Sequence, residues 1–292
     1  MDSDDIIQET IQHIREVLGG DLAELTVDRA ALGLFFSGVK LNTGHGGLCF
    51  TPIKEILEAV CCPSSARAMP LSGRLTGRSA EAYLEDFRSD NILKRTLGIA
   101  VLNALSAACW ERSEDRAYDL EVGKDAFDEV EIDPARKTVV VGALAPIIKK
   151  LRAVEADFLI LEMDPATLKP AEMPHYVHAD RAAEFVPDAD LLIITGTTIL
   201  NGTLSGLLGM AKSGCEIVVT GPTASMVPES FFARGVTMLG GILVTKPDEL
   251  LDIISEAGSG YHFFGKSAER LIIRWDGDRR SAGLDGVKES IR

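Results

Sequence analysis

The chain has 292 residues, of which 46% are hydrophobic and 25% are charged, so it is a globular protein long enough for two domains. Its formal net charge of −14 disfavours nucleic acid as a partner, because a phosphate backbone would repel it. The five cysteines include no CxxC pair, which argues against a disulfide framework or a standard zinc site and predicts reduced thiols. No apolar run approaches the ~20 residues of a membrane span, and the acidic N-terminus lacks the features of a secretory signal, so we expect no membrane partner and a cytoplasmic location.

The residue pattern in the first half of the chain predicts helices packed around a small antiparallel sheet. Apolar residues recur at helical spacing over residues 6–18. Strand-like segments follow at residues 22–27, 31–41 and 47–51, and further helices are predicted at residues 52–60, 80–87 and 91–109. With a turn at Asp28-Arg29 and a glycine-rich loop between the later strands, we expect the strands to pair as a meander.

The helix predicted at residues 91–109 is apolar or small at nearly every position from Leu97 onward, which predicts burial on all sides. Asn103 lies inside this run. Because a buried amide must find hydrogen-bond partners, Asn103 either ties down a neighbouring loop or points into a site.

The second half of the chain changes to an α/β pattern. Residues 111–133 are highly charged and predict a connection between two domains, at residues 1–112 and 113–292. Short apolar runs at residues 138–141, 158–161, 191–194, 216–220 and 236–239 then alternate with helical stretches at residues 147–154, 204–212, 229–233 and 248–256. This alternation predicts a mostly parallel sheet with helices on both faces.

Residues 190–208 are the most informative segment, because they read as a buried strand, a threonine-glycine turn and a helix start. The turn consists of Thr195, Gly196, Thr197 and Thr198, and either Asn201 or Thr203 can cap the helix. In open α/β sheets, ligands bind at the carboxyl ends of the strands, and the N-terminus of a helix there favours an anionic group. The alternative is a capped loop without a ligand.

Other strand ends carry related features. Gly142 follows the strand at residues 138–141, but the full GxGxxG of a dinucleotide site is missing. Glu162 follows Gly142 by 20 residues. In nucleotide-binding proteins of this fold, an acidic residue at that spacing hydrogen-bonds the ribose, so a nucleoside or S-adenosylmethionine-type ligand is an alternative. The Gly221-Pro222-Thr223 turn and Gly240-Gly241 end the following strands and complete a wide, polar crevice.

Candidate metal ligands are few. His45 stands beside Gly46 in a loop with several glycines, where it can ligate a metal or move a proton, or where it is part of a surface hairpin. Cys62 can face a soft metal or be a buried thiol. His175 and His178 are interpreted as loop histidines. The sequence lacks GxSxG, P-loop and HExxH motifs, which excludes the common hydrolase, kinase and metallopeptidase classes.

The chain resembles the putative heavy-metal-chelation domain family over nearly its whole length. The resemblance rests on TGTTILNGTLSGLL at residues 195–208, VVTGPTASMVPESFFARGV at 218–236, VVVGALAPIIKKL with the later LILE, and GGLCFTP and GIAVLNALS in the first half. It implies a Rossmann-like, doubly wound, mostly parallel sheet in the C-terminal domain. It also implies a smaller α+β domain that resembles the N-terminal domain of enolase, with a ligand cleft between the two domains.

The resemblance also implies a set of site residues. Those on the Rossmann-like side of the cleft are Thr195, Gly196, Thr197, Thr198, Asn201, Glu162 and the Gly221-Pro222-Thr223 turn. The resemblance implies that His45 and residues 46–49 line the same cleft from the other domain, and that Asn103 lies behind them.

These patterns lead to three functional hypotheses. The first is a protein, with or without catalysis, that binds or processes a metal chelate, since hydroxyls and amides suit a chelated transition metal better than a bare ion. The second is an enzyme with a nucleoside-type cofactor, and the third is a non-catalytic small-anion binder. A small-molecule partner is expected in each case, and the chain is a candidate homo-oligomer.

Overall fold

The computed structural model describes residues 4–56, 65–112 and 116–275. Its helices are α1 (Asp4–Leu18), α2 (Ser65–Ala68), α3 (Ala80–Glu85), α4 (Ile92–Arg112), α5 (Ala126–Glu129), α6 (Ala145–Ala153), α7 (Ala182–Phe185), α8 (Thr197–Leu200), α9 (Leu204–Met210), α10 (Glu229–Phe232), α11 (Pro247–Ser255) and α12 (Gly260–Phe263). Its strands are β1 (Val27–Leu32), β2 (Phe36–Leu41), β3 (Gly46–Phe50), β4 (Tyr118–Val122), β5 (Thr138–Val141), β6 (Phe158–Glu162), β7 (Tyr176–His178), β8 (Leu191–Thr195), β9 (Glu216–Thr220), β10 (Met238–Val244) and β11 (Ala268–Trp275).

The larger sheet has the strand order β4-β11-β10-β9-β8-β5-β6-β7. The strands from β10 to β7 in this order are parallel, while β11 and β4 add an antiparallel edge. Because β5 lies between β6 and β8, the direction of winding reverses at this point in the sheet. The predicted α/β fold with a mostly parallel sheet is therefore confirmed, and β5 marks its topological switch point.

The central strands of this sheet are buried on both faces, as their apolar runs predicted. One hydrophobic core contains Val139, Val141, Leu192 and Ile194, and a second core contains Val140, Ile193 and Val218. Alternate residues of a strand point to opposite faces, so a strand with helices on both sides must be apolar throughout.

The smaller sheet is the predicted antiparallel meander, in the order β1-β2-β3, but its strands begin and end elsewhere. Residues 19–24 form a 3-10 turn instead of a strand, and Asp28 and Arg29 lie within β1 instead of a turn. The chain reverses at Gly33, where an added Cβ would collide with the carbonyl oxygen of Ile254. The turn is therefore fixed by packing against α11, which no local sequence pattern encodes.

Three strands of the larger sheet were not predicted. These are β4, β7 and β11, and β4 lies in the charged segment that was interpreted as a connection. Gly240 and Gly241 were expected to end a strand, but both pair with β11 inside β10. Edge strands such as β4 and β7 are half-exposed and carry charged or polar residues, so they lack the continuous apolar signal of the buried strands.

Helix α4 is buried at every residue from Thr96 to Trp110, as predicted, and it packs on β2 and β3. By length and composition it could cross a membrane, but 83% of its apolar window is buried inside the protein. It is therefore the core helix of the small sheet. Helix α11 covers the other face of this sheet by packing on β1 and β2.

The two sheets share one hydrophobic core. Its members include Ile6, Ile14, Leu102, Leu105, Leu192 and Val219, which come from α1, α4, β8 and β9. Since α11 lies between β10 and β11 of the larger sheet in the chain but covers the smaller sheet, the two halves are joined through apolar contacts as well as through the chain.

Helix α1 docks on α10 partly through a histidine-carboxylate pair. His13 Nε2 lies 3.2 Å from Glu229 Oε1, and Thr10 hydrogen-bonds Ser230 at 2.6 Å. The hydrogen bond to Glu229 is the largest cause of a pKa of His13 above its ordinary value of 6.5, with nearby Glu16 adding to the shift. Protonated His13 therefore stabilises the folded state.

This pair predicts a pH-dependent contribution to stability. Because the folded pKa of His13 is raised, its contribution is fully present below the unfolded pKa and is lost as pH rises through the folded value. The difference in unfolding free energy between the wild type and His13→Gln should be largest at acidic pH and should shrink above about pH 6.5. Urea denaturation of both proteins over this range measures it, and a constant difference would contradict the assignment.

Candidate functional site

A cavity of about 480 Å³ lies at the carboxyl ends of β5, β6 and β8, which is the topological switch point of the sheet. We call it the switch-point pocket. Its lining includes the predicted site residues Gly142, Glu162, Thr195, Thr197, Thr198 and Asn201. These residues come from three neighbouring strand ends, so the sheet brings together positions that are up to 59 residues apart in sequence.

Gly142 allows the end of β5 to pass close to the end of β8. Its φ is +96°, a conformation that favours glycine, and its amide donates to the carbonyl of Leu161 at 2.9 Å. A Cβ at this position would lie 2.8 Å from Thr195 Cγ2. Gly142 thus keeps a side chain out of the floor of the pocket.

The threonine turn is held by its own hydrogen bonds. Thr195 Oγ1 accepts from the amide of Thr197 at 3.4 Å and from its hydroxyl at 3.2 Å. Thr198 is buried and donates its hydroxyl to the Thr195 carbonyl at 2.7 Å. The half-buried Thr195 and Thr197 therefore offer the hydroxyl oxygens of this turn that are open to a ligand.

Asn201 closes the turn before α9, and the prediction that Asn201 or Thr203 caps this helix is wrong. Its Oδ1 accepts from the Thr203 amide at 3.2 Å and from the Thr203 hydroxyl at 2.8 Å. Thr203 precedes α9 but makes no side-chain cap bond to it. Both residues line the pocket at its exposed side.

Glu162 places a fixed carboxylate at the end of β6. Its Oε1 accepts from the amides of Met163 and Asp164 at 2.8 and 3.0 Å, which orients the group. Its Oε2 accepts no hydrogen bond from the residues that the structure describes. A ligand hydroxyl or amine can therefore donate to this second oxygen.

The charge of the pocket lining is negative. Glu162 and Asp180 line it, while none of the described lining residues is a lysine or an arginine. Met163, Leu207 and Met210 form an apolar wall, and Met163 is 58% exposed. A neutral or cationic ligand fits this lining better than the anionic group that the helix start alone favoured.

Sequence reasoning missed Asp180, Met163 and Met210 as lining residues. Asp180 follows β7, whose three half-exposed residues gave no strand signal, so its position at the sheet edge was not foreseen. Met163 directly follows Glu162, and its proximity to a strand end was the one signal that could have identified it.

His45 lies in a different cavity, of about 640 Å³, beside Glu111, Trp110 and Val244. Its Nε2 is 3.0 Å from Glu111 Oε2 without hydrogen-bond geometry, and its Nδ1 is 2.9 Å from Thr43 Oγ1. A Cβ on Gly46 would lie 2.5 Å from Val244 Cγ1, so this loop packs on the end of β10. The expectation that His45 faces the threonine turn across one cleft is therefore wrong: the two line separate cavities.

Asn103 and Thr223 join the two halves, and neither lines the switch-point pocket. Asn103 Nδ2 donates to the carbonyls of Leu48, Pro222 and Thr223 at 2.7, 3.2 and 3.1 Å. The hydroxyl of Thr223 accepts from the amide of Phe50 at 3.0 Å. Both side chains are buried, so of the two roles considered for Asn103 the structure has it tying down a loop.

The remaining predicted residues are near this junction. Gly196 donates its amide to Thr220 at 2.7 Å, and a Cβ there would meet Ala224 at 3.2 to 3.3 Å. Gly221 and Pro222 line a third cavity, which shares no lining residue with the switch-point pocket. The predicted crevice is thus divided into separate pockets.

Within residues 4–56, 65–112 and 116–275, no group of three or more His, Cys, Asp or Glu side chains could hold a metal ion. Cys62, a predicted metal ligand, lies outside the described residues. His175 stacks on Phe158 with ring centroids 3.9 Å apart, and His178 caps the following turn. Burial holds the pKa of the Cys49 thiol far above its ordinary value, which keeps it protonated.

Two family models match the chain, one over residues 15–106 and one over residues 125–273, and both carry the description "putative heavy-metal chelation". The chain belongs to this family. An uncharacterized protein from Methanocaldococcus jannaschii is 30% identical over 192 residues, which are 65% of this chain and 70% of that protein.

Solved structures of the heavy-metal-chelation family have the same fold. A protein of unknown function from Pyrococcus horikoshii has a TM-score of 0.72 at 20% identity, covering 92% of this chain and 99% of its own. Another, from Desulfitobacterium hafniense, has a TM-score of 0.69 at 19% identity, covering 91% and 98%. The family membership that the sequence segments suggested is confirmed.

Proposed function

We propose that the protein binds a small organic ligand with hydroxyl or amine donors in the switch-point pocket, and that a metal reaches it already held by an organic chelator. The lining carries this proposal: an oriented carboxylate at Glu162 and hydroxyls at Thr195 and Thr197, with no described cationic side chain. A volume of about 480 Å³ is within the usual range of small-molecule sites.

Two observations together favour a metal chelate over a bare metal ion: the description of the family, and the lack of a metal-ligand cluster among the described residues. A bare transition metal needs several His, Cys, Asp or Glu side chains around it, and the described residues offer no such group. In a chelate the organic molecule supplies those ligands, and the protein then only has to recognise its polar and apolar surface.

A nucleoside-type cofactor such as S-adenosylmethionine is the second candidate. It is favoured by Glu162, which ends the strand beside β5 and has an oxygen free to accept a ribose hydroxyl. The exposed Met163 next to it offers apolar surface for a base, and the negative lining suits a sulfonium charge. A small anion would meet no lysine or arginine among the described lining residues, which makes the third hypothesis the weakest.

The Glu162→Gln variant tests both candidates by isothermal titration with adenosine, S-adenosylmethionine and the neutral bis(histidinato)nickel(II) complex. Loss of the charged acceptor should weaken the binding of a ligand with hydroxyl or amine donors about 10- to 100-fold. Glu256→Gln, at an exposed site after α11, is the matched control and should bind as the wild type does. Equal affinities of Glu162→Gln and wild type for every ligand that binds would contradict the site.

The pattern of binding separates the two candidates. Binding of adenosine or S-adenosylmethionine without a metal supports the nucleoside candidate. Binding of bis(histidinato)nickel(II), but of neither nucleoside, supports the chelate.

The proposed location is the cytoplasm, which the free and buried thiols of Cys49, Cys109 and Cys215 support.

A further inference from the structure

The third cavity, of about 500 Å³, has a lining unlike that of the switch-point pocket. Its walls carry the aromatic side chains Phe36, Phe127, Tyr261 and Phe264, and its polar side carries Lys124, Asp125 and Arg270. We call it the aromatic pocket. Its floor includes Gly221, whose φ of +130° favours glycine, at the end of β9.

Tyr261 stands at the rim of this pocket with 98% of its surface exposed. Its neighbours on α12 are fixed: Phe263 is fully buried and packs on Phe36 with ring centroids 5.6 Å apart. The ring of Tyr261 has no aromatic or cationic partner among the described residues. The four-residue helix α12 thus presents an exposed aromatic ring beside a concave site.

Arg270 supplies the cationic group of the pocket. Its guanidinium lies 3.9 Å from the centroid of the Phe264 ring, and its Nε is 2.8 Å from Asp125 Oδ2. Its two Nη groups donate to none of the described residues, whereas Lys124 is already paired with Glu121 at 2.8 Å. A carboxylate can therefore take both Nη donors in the usual forked geometry.

We propose that the aromatic pocket is a second ligand site, which binds a planar aromatic molecule carrying a carboxylate. The ring stacks against the exposed side chain of Tyr261, and the carboxylate pairs with Arg270, whose guanidinium covers one face of Phe264. A volume of about 500 Å³ is within the usual range of small-molecule sites. This site does not depend on a ligand in the switch-point pocket, since the two share no lining residue.

Naphthoate is the probe, and isothermal titration of the full chain is the measurement. Naphthalenemethanol keeps the ring without the charge, and cyclohexanecarboxylate keeps the charge without the aromatic ring. Naphthoate should bind saturably, and both comparison molecules should bind more weakly. Absence of naphthoate binding at millimolar concentration, or equal binding of cyclohexanecarboxylate, would overturn the site.

Three variants assign the contacts. Arg270→Gln should weaken naphthoate binding about 10- to 100-fold, because a charge-assisted pair is lost. Tyr261→Ala should weaken it about 2- to 10-fold, and Tyr261→Phe should retain the affinity because the ring is kept. The side chain of Tyr261 is almost fully exposed, so its loss should leave the melting temperature unchanged and the comparison interpretable.

Two further results would overturn the assignment. Glu162→Gln should leave naphthoate binding unchanged, so a loss as large as that of Arg270→Gln would mean that the two pockets are not distinct sites. Light scattering should give the same mass for wild type and Tyr261→Ala. A fall in mass without a change in naphthoate affinity would make Tyr261 a contact between copies of the chain.

Discussion

Replacing Gly47 with alanine is expected to lower the free energy of unfolding by about 3 kcal/mol or more. A Cβ on Gly47 would collide with the carbonyl oxygen of Ala100 and lie 2.5 Å from the amide of Ala104. Both are backbone atoms of α4, which is buried from Thr96 to Trp110. The helix therefore has no room to move away from β3, and the small sheet must distort instead.

Urea denaturation measures the effect, and Gly209→Ala is its matched control. Gly209 lies in α9, where an added Cβ meets nothing within 4 Å and the backbone is not strained. Alanine there should leave stability unchanged or raise it by up to about 1 kcal/mol. If Gly47→Ala were as stable as Gly209→Ala, α4 and β3 would not be in the contact that the structure has.

Replacing Asn103 with alanine is expected to cost about 3 kcal/mol of unfolding free energy. The change removes the donor shared by the carbonyls of Leu48, Pro222 and Thr223, in a position that is 2% exposed. Its Oδ1 has no hydrogen bond to the described residues, so the loss of stability arises from the Nδ2 group alone. Packing between the two halves should also weaken around these three carbonyls.

The control for this variant is Asn201→Ala, which removes an exposed turn asparagine and should cost less than about 1 kcal/mol. Hydrogen exchange provides a second readout. The amide of Phe50, which donates to Thr223, should exchange faster in Asn103→Ala than in the wild type. Equal stability and equal exchange of Asn103→Ala and wild type would contradict the joining role.

The parallel strands could be predicted because burial on both faces leaves a continuous apolar run in the sequence. Leu191–Thr195 and Glu216–Thr220 carry this signal over most of their length. The edge strand Tyr118–Val122 does not, because its solvent-facing residues are charged and resemble a linker. The antiparallel position of Ala268–Trp275 depends on pairing with distant strands, which a local pattern cannot encode.

The switch-point pocket could be predicted in part for the same reason. Gly142, Glu162 and Thr195 each follow a recognisable buried strand, and the carboxyl ends of neighbouring parallel strands share one sheet edge. His45 is in a loop of the other sheet, and its position depends on the packing of Gly46 against Val244. Such a contact joins residues about two hundred positions apart in the chain and leaves no periodic signal.

The sequence could identify Asn103 as a buried amide that needs hydrogen-bond partners, but it could not decide what those partners are. An amide inside an apolar helix had to have partners, which the sequence established. Whether those partners were a ligand or the carbonyls of Leu48 and Thr223 depended on which loop reached α4. Only the tertiary structure contains that information.

A crystal structure with a bound ligand can show whether the switch-point pocket is the binding site. The crystals would be grown with the tightest binder among adenosine, S-adenosylmethionine and bis(histidinato)nickel(II). We expect ligand density between Gly142, Glu162 and Thr195, with a donor atom about 3 Å from Glu162 Oε2. Density for the same ligand beside His45 or in the aromatic pocket, with the switch-point pocket empty, would contradict the proposed site.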